Sequence, residues 1–105
     1  MRKDLRCGRG ETFSLPLRYR DAAGDGIDLT GTTVELRTFK PTTGEALETY
    51  PAVVDDQGGI DVHVADEDTA TWPVKAAYRI VHTDSAGDER WLVWGALTAF
   101  SGVDL

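Results

Sequence analysis

The chain has 105 residues and a mass of 11.5 kDa, with 41% apolar and 28% charged residues. That composition suits a single packed domain over residues 1–105 and argues against disorder. A formal charge of −7 and a pI near 4.6 argue against a nucleic-acid partner, because backbone binding needs a Lys/Arg surface that displaces counterions. Cys7 is the only cysteine, so no intramolecular disulfide or cysteine-rich metal site can form. The fold must hold without staples, as suits a protein made in a reducing cytoplasm.

The chain starts MRKDLRCGRG, basic and without an apolar stretch behind it, so no secretory signal is expected. Alternation of apolar and polar residues then marks half-buried strands. In TFSLPLRY, Phe13, Leu15, Leu17 and Tyr19 share one face. Pro16 on the other face cannot donate a ladder hydrogen bond, which predicts a sheet edge. TTVELRTF turns Val34 and Leu36 inward, and LETYPAVVDD supplies a strand interrupted or bent at Pro51. GIDVHVAD turns Ile60, Val62 and Val64 inward, with His63 toward solvent. In AYRIVHTD, Tyr78, Ile80 and His82 share a face, and Val81 makes that strand less one-sided.

Turn chemistry separates these runs. DAAGDG, PTTGE, DDQGG and DSAGDE are rich in Gly and Asp, which tolerate positive φ or bond their own backbone. DEDTATWP, residues 66–73, predicts one helical turn capped by Asp66 or Asp68 and ended by Pro73, with Trp72 as a lid on the core. About seven strands at roughly ten-residue spacing predict an all-β, antiparallel Ig-like β-sandwich. A small closed barrel fits the same periodicity. The longest charge-free run, Trp91 to Val103, is shorter than the ~20 residues a membrane helix needs, so no membrane association is expected.

The stretch DAAGDGIDLTG raises the question of a calcium loop. An EF-hand needs ligands at alternating positions, a Glu at the twelfth and flanking helices. Asp21, Asp25 and Asp28 are unevenly spaced, Thr32 holds the twelfth position, and strands flank the segment. A turn is therefore expected and no metal. His63 and His82 fall in no zinc or nucleophile pattern, and Cys7 between Arg6 and Gly8 is expected to be buried or idle despite neighbouring arginines. No catalytic residue, no enzymatic activity and no cofactor are expected.

The strongest signal is RWLVWGALTAF. One face carries Trp91, Val93, Gly95, Leu97 and Ala99; the other carries Leu92, Trp94, Ala96, Thr98 and Phe100. A strand apolar on both faces must be covered on both. Either twist and the N-terminal segment cover the second face, or Leu92, Trp94 and Phe100 dock against another protein. A sugar platform of exposed Trp is a third reading, for which the run lacks polar neighbours.

The order of these signals resembles the small β-sandwich domain of tailed-phage virion proteins. The similarity extends to the N-terminal domain of baseplate upper proteins and to collar or tail-fibre adaptor proteins. It rests on a G-[DE]-T start (Gly10, Glu11, Thr12) and on D-G-x-x-[DN]-L-[ST]-G from Asp25 to Gly31. A late strand containing Tyr78 and a turn at Gly87–Asp88 complete it. Members often have Gly just before that Tyr, where this chain has Lys75, Ala76 and Ala77. The resemblance implies a non-enzymatic structural component of a tail, collar, baseplate or head–tail region, present in several copies. It also implies virion partners, with synthesis and assembly in the host bacterial cytoplasm. In that setting DAAGDGIDLTG is expected to set the register of a hairpin into TTVELRTF. The alternative reading is a carbohydrate-binding β-sandwich module.

Overall fold

The computed structural model describes residues 1–100. In chain order they form β1 (Leu5–Gly8), β2 (Phe13–Arg18), β3 (Thr33–Phe39), β4 (Ala46–Val54) and β5 (Gly59–Val64). The short helix α1 (Asp66–Thr69), β6 (Lys75–Thr83) and β7 (Glu89–Phe100) follow. The strands lie in the order β1-β7-β6-β3-β4-β5-β2. This is the all-β sandwich the alternation predicts.

The two layers share β4. Its first part pairs with β3 up to Pro51, opposite Glu35, and from Ala52 onward it pairs with β5. Proline has no N–H for a ladder, so the partner change falls where one ladder bond is missing anyway. β2 pairs only with β5, which puts Pro16 on an edge strand as expected. All pairings are antiparallel except β1 with β7. Parallel neighbours need a long crossover, and here the rest of the sandwich is that crossover. β1 was not anticipated, because four residues with charged neighbours give little alternation.

The core lies between the layers. Leu29, Val34, Leu36, Val62, Val64, Tyr78, Ile80, Leu97 and Ala99 are all at most 2% exposed. Trp72 closes one end: its ring meets Phe13 and Tyr50 edge-on at 5.7 and 6.0 Å, and Nε1 donates to the Tyr50 hydroxyl at 2.8 Å. The helical turn below it is capped differently from expectation. The N-cap is Ala65, with no side-chain cap; the helix is held instead by Thr69, whose hydroxyl donates to the Glu11 carbonyl at 2.7 Å and accepts from Gly10 N–H at 3.1 Å.

Two further expectations need correction. DAAGDGIDLTG does not lead a hairpin into β3, since β2 and β3 belong to different layers. It is a crossover between them, anchored by fully buried Leu29. Strict alternation puts Trp91 on the face of Val93 and so predicts it in the core, yet it is 48% exposed. The cause is a β-bulge: Ile80 faces Val93 but Val81 faces Trp91, leaving Leu92 as the extra residue. One added residue reverses the facing of everything before it.

Candidate functional site

The bulge changes which side chains share the outer face of the β1-β7-β6-β3 layer. Leu92, expected there, packs against the core cluster. Trp91 takes its place, with its ring centroid 6.5 Å from that of Trp94. Arg79 is the cross-strand partner of Trp94 on one side and Arg37 on the other. Its guanidinium lies 4.0 Å from the Trp91 ring centroid and 4.3 Å from that of Phe39. Such stacking contributes roughly 0.5–2 kcal/mol per contact depending on desolvation. It also fixes a planar cation between two aromatic rings. Trp94 is half-buried, and a groove of about 310 Å³ runs past it between Arg79, Trp91, Ala96 and Pro41.

Farther along the layer, Phe100 is half-buried under Arg6, whose guanidinium carbon stands 5.1 Å from the ring centroid. The N-terminal segment thus covers Phe100 in part through Arg6 and leaves the Trp91–Trp94 side open as a groove that Arg2 borders. It runs beside β7 as an edge strand, with Lys3 N–H donating to the Trp94 carbonyl at 2.8 Å and Trp94 N–H to Met1 at 3.1 Å. Val81 is buried outside the core cluster, opposite Glu35 and Trp91, which explains the less one-sided pattern of its strand.

Arg37 organises the other side of the face. Its guanidinium donates to both carboxylate oxygens of Glu89, at 2.8 and 3.3 Å, and to Glu35 at 3.2 Å. Hydrogen bonding to Arg37 holds the Glu89 carboxyl below its ordinary range, and Glu89 in turn raises the arginine's pKa. Two carboxylates on one guanidinium leave this cluster with a net negative charge. Among the described residues no carboxylate forms an ion pair with Arg79, Arg6 or Lys75.

The aspartates of DAAGDGIDLTG serve the backbone. Asp21 Oδ1 accepts from Ala23 and Asp25 N–H at 2.9 and 3.0 Å, and Asp28 Oδ1 accepts from Thr30 N–H and hydroxyl at 2.9 and 2.6 Å. Bonding to Thr30 lowers the Asp28 pKa. The same device recurs at Asp55 with Gln57 and Gly59, and at Asp84 with Ala86 and Asp88. Each loop carries a positive-φ glycine three residues after its capping aspartate: Gly24, Gly58 and Gly87. The D-x-x-G spacing was the signal in the sequence for these turns.

The candidate reactive groups lie apart. Cys7 is buried, and burial first and Glu11 second push its thiol pKa up, so Arg6 and Arg9 do not activate it. His63 is exposed on β5, while His82 on β6 packs edge-on against Tyr19 at 5.8 Å.

Fold and face together define a small β-sandwich module with one aromatic, arginine-bearing sheet surface. The chain belongs to the LtfC-like, beta-sandwich domain family, which it matches over residues 1–96. It is thus a phage-related β-sandwich domain. The family match carries the sandwich, and not the particular baseplate or collar similarity. No curated protein matches the chain.

Proposed function

We propose that this chain is a non-enzymatic structural module of a tailed-phage virion, an adaptor that joins other virion proteins through the outer face of the β1-β7-β6-β3 layer. The observation that carries the reading is the Phe39–Arg79–Trp91 stack with Trp94 beside it. Trp and Arg dominate the energetics of protein interfaces. Burying one large aromatic side chain contributes up to ~1.5–3 kcal/mol, so the two tryptophans and the positioned arginine are the anchors of such a joint. Phe100 extends the face, while Leu92 supports it from the core side. The carbohydrate reading fits less well, because Arg79 already occupies one face of the Trp91 ring.

The test is Trp94→Asp, with Trp91→Asp as the second variant at a more exposed position. Both should keep the wild-type circular dichroism spectrum and fail to enter oligomers or particles, since an unpaired charge at an interface centre is not tolerated. Folded variants that assemble like wild type would overturn the proposal.

A further inference from the structure

Away from the Arg37–Glu35–Glu89 cluster, the outer face is locally cationic in a chain whose formal charge is −7. Arg6, Lys75 and Arg79 have no ion-pair partner among the described residues, and Arg2 meets only Asp4 at 3.6 Å. Exposed carboxylates lie elsewhere, on α1 at Asp66, Glu67 and Asp68 and on three loops. Tyr19 N–H donates to the Gly58 carbonyl at 2.7 Å, the Tyr19 hydroxyl accepts from Arg90 at 3.1 Å, and the Tyr19 ring packs on His82. Those contacts gather the loops at residues 21–28, 55–58 and 84–88 at one end of the sandwich, where seven aspartates outnumber Arg18, Arg20 and Arg90. Each loop spends at least one aspartate on its own backbone and leaves another whose carboxylate makes no hydrogen bond or ion pair among the described residues: Asp25, Asp56 and Asp88. All three are exposed.

We infer that the occupant of the aromatic face is the aspartate-loop end of a second copy of this chain. The inference rests on the docking role proposed above and names the partner. Two-fold face-to-face pairing of two copies would bring the Arg6, Lys75 and Arg79 patches of both into one interface, and like charges gathered there suppress association. Face-to-end pairing instead matches cations with the free carboxylates, which steers the approach from about a Debye length away. Face and end are different surfaces, so the joint is heterologous. Each added copy leaves one free face and one free end, and growth continues to a ring or a stack.

The test uses two half-blocked chains and sedimentation velocity at low ionic strength. Arg79→Glu spoils the face and keeps the end; the triple Asp25→Lys, Asp56→Lys, Asp88→Lys spoils the end and keeps the face. If Arg79→Glu loses its circular dichroism signal, Arg6→Glu with Lys75→Glu replaces it at exposed positions. Wild type should form species larger than the 11.5 kDa monomer that shrink as salt is added. Each variant alone should sediment as a monomer, and their mixture should stop at twice that mass. Monomeric wild type at low salt, or a mixture that stays monomeric, overturns the inference. Such a result leaves the docking role itself standing if Trp94→Asp still fails to enter particles.

Discussion

Tyr78 and Gly95 stand directly opposite each other across β6 and β7, and the buried Tyr78 hydroxyl donates to the carbonyl of Lys3 beyond them. A Cβ at position 95 would overlap that same carbonyl. The missing side chain is therefore what lets the N-terminal segment lie against β7, and the tyrosine is what pins it there. The pin reinforces the β1–β7 ladder that forms the edge of the aromatic face.

Tyr78→Phe leaves the Lys3 carbonyl without its donor and should cost about 1–3 kcal/mol in a urea titration. The pH dependence has a definite sign. Burial first and Asp4 second push the Tyr78 pKa up to about 12, whereas an unfolded tyrosine ionises near ~10. The unfolded state thus gives up its proton first. The contribution is whole below about pH 10 and drains away as pH rises toward the folded value. Wild type should lose stability over that alkaline window more steeply than Tyr78→Phe. Parallel curves for the two proteins would refute the assignment.

Gly26→Ala should be severely destabilising although the residue is exposed. A Cβ there would run into the backbone carbonyl of Gln57, and backbone cannot step aside as a flexible side chain does. Overpacking of this kind costs typically ~1–3 kcal/mol. Gly24→Ala makes the comparison, since a Cβ at that position meets nothing within 4 Å and its penalty comes from positive φ alone. Thermal melts of the two should place Gly26→Ala below Gly24→Ala; the reverse order would mean the two loops do not interlock.

The register of β5 is the simplest part to check. Ile60 is 3% exposed and faces inward, while His63 on the same strand is exposed. Ile60→Ala should cost ~2–5 kcal/mol and His63→Ala at most about 0.5 kcal/mol. Trp91→Ala should also fall at the low end, in the range left by losing its stack with Arg79. A Trp91→Ala cost as large as that of Ile60→Ala would put the tryptophan back in the core and remove the bulge at Leu92.

These cases show what was readable in the chain. β2, β3, β5 and β6 alternate with a period of two, and their inward residues were read correctly because one face of each meets the core. β7 defeated the same rule. Its residues are apolar on both sides, so periodicity carries no facing information, and one extra residue at Leu92 decided the matter. The partner change of β4 at Pro51 and the parallel docking of β1 depend on residues distant in sequence. Local pattern does not contain them. The loops were legible because Asp and Gly at fixed spacing act on their own backbone. The Phe39–Arg79–Trp91 stack joins three strands and leaves no local trace.

Thr69 offers the sharpest remaining test, because so much converges on one small side chain. It is fully buried, accepts from Gly10 N–H, and donates within reach of both the Glu11 and Asp66 carbonyls, at 2.7 and 3.1 Å. A helix of four residues cannot persist on intrinsic propensity, since nucleation is unfavourable and few bonds follow it. Its position below Trp72 must come from tertiary contacts, and the Thr69 hydroxyl joins it to the segment between β1 and β2. Thr69→Val keeps the shape and removes the hydroxyl, stranding the Gly10 N–H and the Glu11 carbonyl. The expected cost is about 1–3 kcal/mol, with faster hydrogen exchange at the Gly10 amide. Thr69→Ser keeps the hydroxyl and loses one methyl, so its Gly10 amide should remain protected at a cost near ~1 kcal/mol. If Val and Ser cost the same and both leave Gly10 protected, the threonine is there for packing, and the helix is held by Trp72 alone.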